Sequence, residues 1–291
     1  MKLETVITLA NKKVEIPFRA FERSLRATGC TLPLLVIPYD DSRFPLPTNA
    51  TWLDDAPAQK LYAWLAGYNG HPTFRKYACF LRPNFLFADT DVVFLKTPAE
   101  ALVPYAGFVI SCCHWMNSAH TLTDETRAFL EKTSTTYQKT LFNSGQFACD
   151  RALYAFEALQ AACERFPVTC LRFPYHEQPA VNILAHLSSV PITSLTLPPH
   201  NIESSWAGHY INRAPPFWGD EKTKPFLLHW AGRKFSGRCA VDELFLAHLN
   251  PAERAELLKE QPTAGALFSR RFKNFLRGVR DSFKESFAAN E

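Results

Sequence analysis

Short runs rich in apolar residues recur at Leu3–Leu9, Leu32–Pro38, Phe85–Ala88, Val92–Leu95, Phe108–Cys113, Val190–Leu197 and Phe226–Leu228, and they read as buried strands. Between the first two, Phe18, Phe21 and Leu25 fall at helical spacing on one face of a helix that Pro17 opens and that runs through Arg26. A proline-rich loop (Pro45, Pro47, Pro57) precedes helices expected around Lys60–Tyr68 and Pro72–Leu81. Further helices are expected to start at Thr123, at Asp150 as a cap and running to about Arg165, at Glu177-Gln178-Pro179, and at Asn250-Pro251, the last ending near Gln261-Pro262. Strand, helix and strand in this order predict an α/β fold with a parallel sheet.

Two of the strand-like runs are joined by Asp89-Thr90-Asp91. Carboxylates are rarely left at the end of a buried strand without a partner, because desolvating them is costly. A divalent cation is one natural partner, since it takes hard oxygen ligands and its remaining positions suit the oxygens of a diphosphate. A solvated loop is the plainer reading of an isolated Asp-x-Asp. If the run before Asp89 is a third parallel strand, the pair lies in the crevice at the carboxyl ends of the strands, where open α/β sheets bind ligands.

Composition narrows the picture without changing it. The chain of 291 residues is 47% hydrophobic and 21% charged, ordinary for a soluble globular protein, and its net charge of +4 does not call for nucleic acid as a partner. The eight cysteines are scattered and form no Cys-x-x-Cys pair, so reduced, buried thiols are expected. No run approaches the ~20 apolar residues of a membrane span, and the charged Met1-Lys2-Leu3-Glu4 start does not read as a secretion signal. A cytoplasmic protein is expected.

Three more polar clusters sit beside apolar runs: Asn143-Ser144-Gly145, Glu177-Gln178, and His229 followed by Gly232, Arg233 and Lys234. Arg75 and Lys76 precede the central strand. Singly each has a plain explanation in turn chemistry, helix-start preference, a core histidine or a solvated turn. In chain order they resemble the metal-dependent glycosyltransferases of the GT-A fold, most closely glycosyltransferase family 8, the glycogenin and galactosyltransferase type. That family's pattern is Asp-x-Asp after an apolar strand, Asn-x-Gly, an acidic-Gln pair opening a helix, and a late His-x-x-Gly with a basic residue beyond it. Two departures stand out. Glu177 occupies a position where the family usually has aspartate, and Arg233 and Lys234 follow Gly232 at one and two residues, where the family has a basic residue at three followed by Pro-Trp.

The resemblance covers about residues 3–235 and implies a Rossmann-like GT-A domain with a mixed, mostly parallel sheet, placed here at 1–262. It implies transfer of a sugar from a nucleotide diphosphate sugar, by the family's habit a uridine diphosphate sugar, to a glycan, lipid-linked or protein acceptor with retained configuration. The expected metal ligands are Asp91 and His229, with help from Asp89. A carboxylate and imidazole set suits manganese, or magnesium, better than calcium. Asp89 is also expected near the ribose, Arg75 or Lys76 and Arg233 or Lys234 at the phosphates, Asn143 and Gln178 at the sugar hydroxyls, and Glu177 at a hydroxyl or the anomeric carbon. The nucleobase is expected around Leu9–Asn11.

Two other readings of Asp-x-Asp are open. Apolar strand followed by Asp89-Thr90-Asp91-Val92 also matches the nucleophile motif of haloacid dehalogenase-type phosphatases, whose later acidic pair is poorly replaced by Asp220-Glu221. A non-catalytic nucleotide-sugar or membrane-binding protein of the same fold is the other. Beyond Pro262 the chain becomes basic and rich in phenylalanine. Phe268, Phe272, Phe275 and Phe283 recur at helical spacing among Arg and Lys over 266–287, within a separate tail at 263–291. Such a helix suits an anionic membrane surface, which would put the protein on the inner membrane face, or docks on the protein's own core.

Overall fold

The computed structural model describes residues 1–68, 70–117, 121–167 and 177–259. The basic segment at 266–287, and the expected boundary at 262, lie outside the described residues. The core is a seven-stranded sheet of β1 (Thr5–Ala10), β2 (Leu34–Pro38), β3 (Ala50–Trp52), β4 (Phe85–Ala88), β6 (Phe108–Ile110), β7 (Gln146–Cys149) and β8 (Ile192–Ser194). Its spatial order is β3-β2-β1-β4-β7-β6-β8. Only β7 runs against its neighbours, so the sheet is mixed and mostly parallel, as expected. Strand β4 matches its apolar run, whereas β2, β6 and β8 are shorter than theirs.

Helix α1 (Glu15–Ala27) covers one face of the sheet with the predicted Phe18, Phe21 and Leu25, all essentially buried. The other face carries α2 (Ala56–Tyr68), α4 (Asp124–Thr133), α5 (Phe156–Glu164) and α6 (Gln178–Leu187), over a core led by Phe85, Phe87, Phe108, Phe142 and Phe147. Short α3 (Pro98–Ala101) links β5 (Val92–Phe94) to β6. Strand β5 pairs antiparallel with β9 (Leu227–His229) in a separate two-stranded ribbon, and α7 (Ala240–Leu246) and α8 (Pro251–Lys259) complete the domain. Among the described residues no helix is long and apolar enough to cross a membrane.

Two sequence expectations are corrected. Helix α2 starts at Ala56 rather than near Lys60, with Pro57 in its first turn and Asp55 Oδ1 accepting the Ala58 amide at 3.1 Å. The helix expected over Pro72–Leu81 is present, as a 3-10 helix. Asp150 does not cap α5. It accepts the Gly107 amide at 2.8 Å and pairs with Arg151, tying the end of β7 to the start of β6. The cysteines among the described residues are free thiols.

Besides apolar packing that includes Ala20 and Leu257, one carboxylate ties α8 to α1. Glu253 is buried, and it forms a reciprocal capping box with Asn250, accepting that residue's amide at 3.0 Å while its own amide reaches Asn250 Oδ1 at 2.9 Å. It also takes Arg23 at 2.5 Å and Arg19 at 2.7 Å. Arg23, before the opposing cost of burial, pulls its pKa from 4.5 down to about 2. A lowered carboxylate stabilises the fold above its unfolded pKa, and that contribution is lost as pH falls from about 4.5 to about 2. Glu253→Gln is therefore expected to cost about 2 kcal/mol in urea unfolding at pH 7, the arginines being half exposed. The difference from wild type should shrink at pH 3.

Candidate active site

The site forms where the carboxyl ends of the parallel strands meet. Strand β4 runs parallel to β1 and ends at Ala88, so Asp89 emerges beside Leu9, Ala10 and Asn11. Because β7 is antiparallel, its start enters from the same edge. Ala88 faces Gln146, and the Asp89 amide donates to Gly145 O at 2.8 Å. The ribbon supplies the third component. Its register sets His229 opposite Val92, and the Trp230 amide donates to Asp91 O at 2.9 Å. Strand alternation fixes which side His229 faces, since a one-residue slip would turn it away.

Asp89, Asp91 and His229 thus bring one ligand atom each within 4.8 Å of one another, and could hold a metal ion. His229 Nε2 lies 3.0 Å from Asp91 Oδ1, and the histidine is almost fully buried. Burial disfavours the charged imidazole, but Asp91 outweighs it and raises the His229 pKa. Burial likewise works against both carboxylates. Asp91 stays below its ordinary value because His229 faces it, whereas burial and the Asp91 charge hold Asp89 above its own.

The fit to a cation can be tested against the packing around the three ligands. A Cβ added at Gly145 would sit 2.2 Å from His229 Cε1, 2.6 Å from Asp89 Oδ2 and 2.8 Å from Asn143 Oδ1. The backbone is therefore pressed against the ligands with no room for a side chain, and the two carboxylates and imidazole form a donor set suited to manganese or magnesium. Gly145→Ala is expected to displace His229 and Asp89. It should weaken manganese binding at least about tenfold in titration calorimetry, with far-UV circular dichroism retained.

Lys76 is the buried cation of the site. Its Nζ lies 2.8 Å from Glu177 Oε1 and 3.1 Å from Asp89 Oδ1. Burial would lower its pKa, but the Asp89 and Glu177 charges outweigh that and raise it. In turn Lys76 overcomes the burial of Glu177 and holds that carboxyl below its ordinary value. Glu177 also accepts from Ser144 Oγ at 3.0 Å, and Gln178 Oε1 accepts the Ser144 amide at 3.3 Å. Asn143 Oδ1 accepts the Gly145 amide at 2.7 Å and closes the turn entering β7.

Two cavities meet at Lys76, Asp89 and Asp91. One, of about 510 Å³, lies between Leu9, Asn11, Tyr39 and Thr73; the other, of about 570 Å³, holds Asn143, Ser144, Glu177, Gln178, His229 and an outer wall that includes His114 and Trp206.

Of the residues expected here, Asp89, Asp91, His229, Lys76, Asn143, Glu177 and Gln178 come together. Arg75 does not. Its guanidinium donates to Pro38 O at 2.6 Å and lies over the Tyr62 ring. In a 3-10 helix successive side chains point a third of a turn apart, so Arg75 and Lys76 cannot both face the cavity. Arg233 is also turned away, paired with buried Asp242 at 3.1 Å, and Lys234 is exposed and outside the cavity lining. Tyr39, Thr73, Ser204 and Trp206 line the cavities without having been foreseen. Asp220 and Glu221, needed for a phosphatase reading, are exposed and lie outside both cavities.

The mixed, mostly parallel sheet and the crevice at its carboxyl edge form an α/β fold of the GT-A type. No protein-family model matches the sequence, and no curated protein is similar to it. Among solved structures, the apo bifunctional glycosyltransferase WbbM superposes with a TM-score of 0.60 at 14% identity, over 89% of this chain and 52% of its own. The chain thus spans about half the length of that protein, and the likeness establishes the fold. Lower TM-scores of 0.48 link it to the galactosyltransferase LgtC, solved with donor and acceptor sugar analogues (12% identity, 89% of this chain, 97% of that one). The same score is found for the glycosyltransferase GlyE of Streptococcus pneumoniae TIGR4 (11% identity, 89% and 63%).

Proposed function

We propose that the protein is a metal-dependent glycosyltransferase that moves a sugar from a uridine diphosphate sugar to a hydroxyl-bearing acceptor with retained configuration. The observation that carries the reading is the Asp89, Asp91 and His229 cluster, standing where two ligand-sized cavities join. These residues would hold manganese or magnesium, which supplies Lewis-acid neutralisation of the departing diphosphate. The smaller cavity, between Leu9, Asn11 and Tyr39, suits the nucleoside, and Asp89 lies close enough to it to meet the ribose.

The chain's own residues supply the rest. Lys76 keeps Glu177 ionised at neutral pH, so Glu177 is suited to stabilise positive charge at the anomeric carbon and unsuited to act as a general acid. Asn143 and Gln178 line the larger cavity and would orient the donor sugar through its hydroxyls. Lys234, the exposed cation of the loop after Gly232, remains the candidate for an outer phosphate contact, whereas Arg233 is held by Asp242.

The test is a thermal-shift and nucleotide-release screen of uridine diphosphate sugars with manganese, magnesium or chelator. Manganese-dependent stabilisation together with slow release of free nucleotide supports the reading. Manganese-dependent binding without release would make the protein a non-catalytic binder. Hydrolysis of nitrophenyl phosphate in place of either would contradict it.

A further inference from the structure

The outer half of the larger cavity is built differently from its inner end. Every Lys, Arg, Asp or Glu among its described lining residues (Lys76, Asp89, Asp91 and Glu177) sits at the inner end. The rest of the lining includes Cys113, His114 and Asn117 from the segment after β6 and Ser204, Trp206 and His209 from the segment before β9. A phosphate or carboxylate seated between them would lose water without gaining a fixed cation. A sugar ring has the opposite profile, with hydroxyls for the amide, hydroxyl and imidazole groups and an apolar face for an aromatic ring.

Resting on the transferase reading, we infer that Trp206 is the acceptor platform, on which an uncharged glycosyl unit seats its apolar face. The indole is fixed on several sides. Its Nε1 donates to Ala231 O at 3.2 Å, and the His209 ring meets it edge-on at 5.0 Å between centroids. A Cβ added at Gly208 would lie 2.4 Å from Cζ2 and 2.5 Å from both Cε2 and Cη2. Nearly equal distances to three consecutive ring atoms put that Cβ over the ring face rather than beyond its edge. The bare backbone of Gly208 therefore seals that face, and the indole cannot tilt toward it.

The platform is also held in register with the reaction centre. Trp206 forms a parallel bridge with His229, and the His229 amide donates to Ser205 O at 2.7 Å. Backbones so paired lie about 5 Å apart, which ties the Trp206 backbone to that of the histidine in the metal cluster. Trp206 thereby sets which acceptors are used, through geometry fixed to the same histidine that completes the metal cluster.

The experiment measures transfer from uridine diphosphate glucose and galactose, with manganese, to uncharged acceptors (lactose, maltose, cellobiose and methyl glycosides) and to glucuronic acid and glucose 6-phosphate. Wild type should use uncharged acceptors in preference to the charged pair. Trp206→Ala should raise the acceptor KM about tenfold or more while the donor KM moves by less than about twofold. Gly208→Ala, which keeps the indole but pushes it aside, should behave like Trp206→Ala, and Trp206→Phe should retain most acceptor affinity. Should Trp206→Ala not fold, the other two variants decide. A wild type that turns over donor but prefers the charged acceptors or uses no uncharged one, or variants with an unaltered acceptor KM, would overturn the platform alone. A wild type that releases nucleotide from neither donor would overturn the transferase reading beneath it.

Discussion

Asp91→Asn is expected to reduce manganese-dependent nucleotide-sugar turnover by about a thousandfold and to remove the manganese-dependent thermal shift. The substitution keeps shape and the local backbone bond from Trp230 but removes one negative charge from the group of three ligands. His229 then loses the carboxylate that faces its Nε2 at 3.0 Å and that raises its pKa. With that carboxylate gone, burial favours the neutral imidazole, so no buried charge is left unpaired and the melting temperature without metal should stay close to wild type. Turnover within about tenfold of wild type would remove Asp91 from the chemistry.

Lys76→Met has the opposite profile, striking stability and pH dependence together. The buried ammonium compensates Asp89 and Glu177, and deleting it leaves both carboxylates facing one another across an apolar gap. Loss of one partner from such a buried set is expected to cost about 3 kcal/mol or more in unfolding without metal. Added manganese should restore part of it by supplying positive charge beside Asp89. Glu177 is under opposing influences. Burial raises its pKa and Lys76 lowers it, so removing Lys76 moves the pKa upward. Activity that depends on ionised Glu177 should then be lost at higher pH than in wild type, and the acidic limb of kcat/KM should move toward neutrality. An unmoved acidic limb would contradict the role assigned to the pair.

Much of this arrangement was legible because strands and helices announce themselves locally. Phe18, Phe21 and Leu25 bury the face their spacing predicts, and the apolar runs on either side of Asp89-Thr90-Asp91 become β4 and β5. His229 could be placed beside the acids only through the order of motifs, since the ribbon that joins it to Asp91 pairs residues far apart in sequence. What failed depended on details that a sequence does not carry. Arg75 and Lys76 were interchangeable until the 3-10 geometry turned one toward Tyr62 and the other toward Glu177. Arg233 read as a phosphate ligand because nothing local announces Asp242, which accepts from Arg233, the Trp230 indole and Ser236 at once. Trp206 lies in a segment without strand or helix rhythm, and contacts far along the chain, with His229 and Ala231, bring it to the cavity.

The most direct measurement is anomalous diffraction from crystals grown with manganese and uridine diphosphate. The account predicts one manganese peak bound by carboxylate oxygens of Asp89 and Asp91 and by His229 Nε2, with its other positions taken by diphosphate oxygens and the uridine lying toward Leu9, Asn11 and Tyr39. A nucleotide bound elsewhere, or manganese held without His229, would contradict it.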